Sequence, residues 1–291
     1  MKKSKMLLSL ILAITLLLTN FTFISFAVDG SKTYYIDSID GDDSNSGLSK
    51  TEAVKTITGL KISDYNPGTT FLFRNGGKYE STVYLNDVSG TKEKPIVISS
   101  YGDGEKAILY TEEAKEVFTF MDCSYITVSN ISITAPNGGG IWINTSTKKS
   151  EGIILDNIYF YDMPNGKVTA RDDFSSGAAK ARAAVMVKGL PGTSRFPVND
   201  LTITNCEVYD VANGFIIWGS WNEAETDPVF NTGLLIKDCY LHDMDAEAMV
   251  IGICDGALIT DCRAIDCCQG EGVDENGEIL YFTAAMWFWG S

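Results

Sequence analysis

The chain has 291 residues, 45% of them hydrophobic, and a formal net charge of −15 at pH 7. That length allows one large domain or two ordinary ones. So acidic a balance excludes a nucleic-acid partner, which needs Lys and Arg to neutralise phosphates, and it agrees with solubility and with divalent cations.

The first element in chain order is a targeting signal. Lys2, Lys3 and Lys5 precede an apolar run from Met6 to Leu18, and Ser25-Phe26-Ala27 supplies a small-residue cleavage site. The pattern predicts a secretory signal peptide over residues 1–27; polar Thr19, Asn20 and Thr22 interrupt the run and argue against a membrane anchor. No other stretch is long enough to span a bilayer. A soluble, extracellular monomer without membrane contact is expected after cleavage.

Residues 28–122 read as an N-terminal cap and first irregular strands. The turn-rich "DSIDGDDSNSGL" leads into Ser49-Lys50-Thr51-Glu52, a capping box that predicts a short helix. The acidic cluster from Asp40 to Asn45 lacks a complete EF-hand spacing and reads as a turn. Strands are expected in "TTFLFRNG", "STVYLND" and "KPIVISSYG".

Residues 123–291 carry a repeat. "ITVSNISITA", "IILDNIYFYD", "LTITNCEVYD", "LLIKDCYLHD" and "ALITDCRAID" align on Asn130, Asn157, Asn205, Asp238 and Asp261. These positions lie 27, 48, 33 and 23 residues apart, the period of a stacked coil with loops of varying length. Apolar residues alternate on both sides of each reference position, as in Ile126 and Val128 before Asn130 and Ile131 and Ile133 after it. The parity slips by one at the centre, so the chain must bend there. Asn and Asp tolerate the left-handed conformation of such a corner.

Cys206, Cys239 and Cys262 then form an inward ladder continuing Ile131 and Ile158. Seven cysteines, with no metal-type CxxC pair, read mostly as buried thiols. A third strand closes each unit: "GGIWIN", "AAVMVK", "GFIIWGS", "AMVIGI" and "AAMWFWGS". By their letters, Trp-Gly-Ser at 218–220, Ile-Gly-Ile at 251–253 and Trp-Gly-Ser at 289–291 are equivalent. The expected fold is all-β, a three-sided parallel solenoid with an N-terminal capping helix.

The Asn and Asp corners resemble the asparagine ladder of the right-handed parallel β-helix proteins of the pectate-lyase-like superfamily. The opening "YYIDSIDGDDSNSG" and "SGTKEKPIVISSYGDGEKAIL" are similar to the amino-terminal region of secreted bacterial members. The resemblance covers nearly all of residues 28–291 and implies a polysaccharide lyase or glycoside hydrolase, without the WiDH and RxPxxR blocks of pectate lyases or the NTD and GxDD blocks of polygalacturonases. It also implies a substrate groove along the third strand and its loops.

Trp142, Trp218, Trp287 and Trp289 lie on that strand, with Trp221 just beyond, and alternation turns the first four outward as sugar-stacking platforms. Arg171 and Arg182, in a locally basic stretch, suit carboxylate-bearing sugars. Asp243, Asp245 and Glu247 are candidate Ca²⁺ ligands. Asp162, Asp210, Asp243 and Asp266 recur at one repeat position and read chiefly as turn structure. His242, the single histidine, reads as incidental.

The first expectation is cleavage of a uronate polysaccharide by β-elimination, with Lys188 as base. The alternatives are a glycoside hydrolase using Asp210, Asp243, Asp245 and Glu247 as its carboxylate pair, and a non-catalytic carbohydrate-binding or cell-surface β-helix. "AAMWFWGS" reads as the last visible coil of a solenoid that continues beyond Ser291.

Overall fold

A computed structural model describes residues 30–59, 66–163, 183–187, 196–219, 228–269 and 285–289. Residues 1–27, where the sequence predicts a signal peptide, lie outside them. Among the described residues no helix is long and apolar enough to cross a membrane.

Among the described residues three large parallel sheets and two two-stranded ones share the chain. Sheet A stacks the strands that enter the Asn corner, Ile126–Ser129, Ile154–Asp156, Thr202–Thr204, Leu235–Lys237 and Leu258–Thr260, below Thr33–Ile36, Thr70–Arg74 and Ile96–Tyr101. Sheet B stacks those that leave it, Ile131–Thr134, Tyr159–Met163, Glu207–Val211, Tyr240–His242 and Arg263–Ile265, with Lys78–Glu80 and Ala107–Tyr110. Sheet C holds Val83–Asn86, Glu116–Met121, Gly139–Asn144, Ala183–Val187, Asn213–Trp218, Met249–Gly252 and Met286–Trp289. From Thr70–Arg74 onward the chain visits A, B and C in turn, so each coil adds one residue to each stacked column. This is a parallel β-helix.

Alternation makes its core. Ile126, Val128, Ile131, Ile133, Ile141 and Ile143 are all buried within one continuous apolar cluster. Each such side chain stabilises the fold by about 1.5–3 kcal/mol relative to exposure. Cys206 and Cys239 are buried and Cys262 half-buried in the column of Ile131 and Ile158. All seven cysteines are free thiols. Burial pushes the Cys206 thiol well above its ordinary range.

The corners are left-handed. Asn130, Asn157, Asn205, Asp238 and Asp261 have φ between 53° and 57°, a region costly to most L-residues. Asn157 Nδ2 donates to Asn130 Oδ1 at 2.8 Å, and the N–H groups of Asn130, Asn157, Asn205 and Asp238 donate to carbonyls one coil on at 3.0–3.2 Å. The recurrent Asp162, Asp210, Asp243 and Asp266 make a second such column between sheets B and C, with φ of 49–52°. Tyr125, Gly152, Asp200, Gly233 and Gly256, all at positive φ, turn the chain back into sheet A.

Two expectations are corrected here. No α-helix forms at the capping box: Lys50–Glu52 and Ile57–Gly59 are single 3-10 turns, and Ser49 makes no side-chain cap bond. The cause is a non-local strand pairing, because Val54 N–H donates to Tyr35 O and Asp37 N–H to Val54 O, which pulls the chain back to extended form one turn after it starts to coil. The letter alignment in sheet C is also off by one residue. The register pairs Trp218 with Gly252 and Gly252 with Trp289, so Gly252 stands in the tryptophan column and not in that of Gly219.

Candidate functional site

Across its middle strands, from Gly139–Asn144 to Met249–Gly252, sheet C is buried on both faces. Phe118, Ile141, Val185, Phe215 and Met249 point into the core. On the opposite face Trp142, Met186, Ile216 and Val250 fall in one register column and are 7%, 1%, 1% and 2% exposed. With Ala183 they form a second apolar cluster, against which half-buried Trp218 packs. Trp142 faces outward as its alternation requires, but it is part of a wall and not an open platform. The strand sequences carried this signal: "AAVMV" and "GFII" are apolar at every position, the composition of a sheet buried on both sides.

Glu247 stands at the edge of this wall. It precedes the strand Met249–Gly252 by two residues, and Gly214 N–H donates to its carbonyl at 2.9 Å. The parallel register places it in one column with Asn213 and Ala183. Glu247 is 7% exposed, and its Oε2 has no hydrogen-bond partner among the described residues. Burial pushes its carboxyl above the usual carboxylate range, opposed only by its own backbone N–H. A carboxyl shifted in that direction keeps its proton to higher pH than a free one.

The other predicted acids take different roles. Asp210 and Asp243 are exposed at left-handed corners. Asp243 Oδ2 lies 2.7 Å from His242 Nδ1, and His242 Nε2 lies 3.2 Å from Glu207 Oε1. His242 also stacks on Tyr240, with centroids 4.2 Å apart. Asp245 is half-buried two residues before Glu247, its N–H donating to Val211 O at 3.2 Å.

Calcium at Asp243, Asp245 and Glu247 does not fit this arrangement. Among the described residues no three His, Cys, Asp or Glu side chains gather as a metal would need. Lys188, Arg171, Arg182 and Trp221 lie outside the described residues. Trp287 continues the column of Trp142 and Val250 and is 39% exposed. Trp289 follows Gly252 in register.

Sequence reasoning missed Asn213, a polar residue 2% exposed in the column of Glu247. It also missed the aromatic face of sheet B, where Tyr159 stacks on Tyr161 at 5.0 Å and Tyr209 meets His242 at 5.0 Å. The alternation in "YFY" and "EVYD" held that second signal.

No family model matches the chain. The lacto-N-biosidase of Bifidobacterium longum subsp. longum is 23% identical over 308 residues, which takes in 78% of this chain and 19% of that protein. A crystal structure of the GH136 lacto-N-biosidase from Eubacterium ramulus superposes with a TM-score of 0.72 at 19% identity, over 89% of this chain and 49% of its own. A rhamnogalacturonan lyase structure gives 0.54 at 15% identity, over 89% of this chain and 62% of that one. What these likenesses show is the fold. The chain spans less than half the length of the lacto-N-biosidases it matches.

Proposed function

We propose that this protein is a carbohydrate-active enzyme of the glycoside hydrolase type, in which Glu247 is the general acid. The observation that carries the reading is a carboxyl buried beside an apolar wall, without a hydrogen-bond partner for Oε2 among the described residues and with its proton held more tightly than usual. Leaving-group departure needs such an acid on the glycosidic oxygen, paired with a second, ionised carboxylate. Asp245, half-buried on the same turn, is the assigned partner, since Asp210 and Asp243 are committed to corner geometry. Similarity to proteins named as lacto-N-biosidases supports hydrolysis over elimination.

The uronate lyase expected from the sequence is set aside. That reading called for Ca²⁺ or an Arg against the uronate carboxylate and for Lys188 as base; among the described residues no group of side chains gathers to hold a metal, and Lys188, Arg171 and Arg182 lie outside them. The purified chain, incubated with neutral, N-acetylated and uronate-containing glycans, should release reducing ends without ultraviolet-absorbing unsaturated product. Glu247→Gln should lower kcat/KM by about 100-fold or more. Unsaturated ends from a uronate polymer would restore the lyase, and full activity in Glu247→Gln would remove Glu247 from the mechanism.

A further inference from the structure

We propose that the outer face of sheet B is a second, non-catalytic binding site, which holds a neutral oligosaccharide chain along Tyr159, Tyr161, Tyr209, Tyr240 and His242. The inference takes from the reading above only that the protein acts on carbohydrate, and it does not depend on Glu247.

Two register columns make the face. Tyr159, Glu207, Tyr240 and Arg263 follow one another in successive coils, and so do Tyr161, Tyr209, His242 and Ile265. Phe160, Val208 and Leu241 between them are buried in the core, so alternation turns both columns to solvent. The face is open: Tyr209 is 39% exposed, and Glu207, Arg263 and Ile265 are exposed beside it. Sheet A supplies the comparison within the same coils. Its outward positions hold Ile154, Thr202 and Leu235 in one column and Asp156, Thr204 and Lys237 in the other, with no aromatic ring among them. A strand needs no tyrosine to face water, and rings at all these outward positions of sheet B but that of Glu207 mark a surface for contact.

The rings are already ordered. Tyr159 and Tyr161 lie 5.0 Å apart and 16° from parallel, and Tyr240 and His242 lie 4.2 Å apart and 17° from parallel. Residues two apart on a strand are separated by about 6.6 Å, so rings this close and this parallel stand up from the sheet, face to face. They offer ring edges and polar tips, fixed before any ligand arrives. Glu207 and Asp243, 3.2 and 2.7 Å from the two ring nitrogens of His242, add acceptors between them. A sugar chain carries the matching groups, since its hydroxyls donate to carboxylates and accept from phenols. The pattern returns every coil, at about 4.8 Å, close to the length of one pyranose unit, so consecutive sugars meet consecutive coils.

Charge selects a neutral chain. Asp162, Asp210, Asp243 and Asp266 are exposed along the corner that ends these strands, and with Glu207 they outweigh Arg263, whose guanidinium lies 5.3 Å from the centre of the Tyr240 ring. A uronate chain is repelled there, and so is a second copy of the same face.

Binding is measured in the Glu247→Gln background, so that no glycan is cleaved, on an immobilised array of neutral, N-acetylated and uronate hexasaccharides. A neutral or N-acetylated chain should bind and the uronate chains should not. Tyr209→Thr combined with Tyr240→Thr should weaken that binding by about tenfold, and the bound chain should protect Tyr209 from nitration by tetranitromethane, read by peptide mass spectrometry. Thr suits a strand, and thermal melts check folding; if the double variant does not fold, the nitration pattern of its parent decides. With Glu247 in place, the same two substitutions should leave kcat/KM on a nitrophenyl disaccharide unchanged, and a fall would overturn a site apart from catalysis.

Equal affinity in the folded double variant, an unprotected Tyr209, a preference for uronate chains or no bound glycan at all overturns the proposal. So does a dimer that the substitutions dissolve, which makes the face a contact between copies. The two readings fail separately: Tyr209-dependent binding with no glycan cleaved keeps this site and removes Glu247, and cleavage with unaltered binding does the reverse.

Discussion

Glu247→Gln should make the protein more stable at neutral pH even as it removes activity. A buried acid whose folded pKa is raised binds its proton more tightly in the native state than in the unfolded chain. Its contribution is therefore most favourable below the unfolded value of 4.5 and is lost as pH climbs through the raised one. Gln is neutral throughout and does not lose it. Leaving a buried group of this kind uncompensated costs about 1–3 kcal/mol, and each 1 kcal/mol moves Tm by about 2–4 °C in a domain of this size. Melting curves of both proteins from pH 4 to pH 8 should diverge by several degrees toward alkaline pH and converge below 4.5. The alkaline limb of wild-type activity should fall in the same interval. Parallel melting curves across that range would refute the argument, because a carboxyl indifferent to pH there is not held as the burial of Glu247 requires.

Other predictions follow from the corners and the core. Asn157→Ala should cost about 1–2 kcal/mol for the left-handed backbone alone, plus the bond to Asn130, whereas Asn157→Gly should cost less; chemical denaturation separates the two, and equal costs would place the loss in the side-chain bond. Asp122, 2% exposed, accepts hydrogen bonds from the backbone N–H and hydroxyl groups of Ser146 and Thr147. Burial works to raise its pKa, but these donors bring it down to about 2 from 3.8. A depressed carboxyl stabilises the fold above pH 3.8 by about 2 kcal/mol, and that stability should vanish as pH falls through about 2 and be absent from Asp122→Ala. The Cys206 thiol, raised by burial, should resist alkylation until the chain unfolds, as mass spectrometry of labelled peptides can show.

The coil plan was legible because its signals are local. The parity slip at Asn130 or Asn205 needs only a dozen residues of context, and the left-handed tolerance of Asn and Asp explains it without knowledge of any other coil. The capping box failed for the opposite reason, since the pairing of Val54 with Tyr35 is set by the sheet and not by the four residues that spell the box. Glu247 stood among the candidate acids, but nothing in "DMDAEAMV" separates it from Asp243 or Asp245. Burial on the covered side of sheet C makes that distinction, and burial is a property of neighbouring coils. The shift of Gly252 by one position was hidden by matching letters, which aligned glycine with glycine where the hydrogen bonds align glycine with tryptophan.

The repeated left-handed corners also restrict how this protein can change its specificity. Because each coil turns at the same three places, side chains from different coils are separated by whole multiples of the strand spacing, about 4.8 Å. Distances along the stack are quantised, much as notches are on a ratchet. A binding surface built here cannot be widened by a fraction of a step without breaking the corner bonds; it is retuned by exchanging one residue in a column, as glycine for tryptophan, or by changing a loop that the corners leave free to vary.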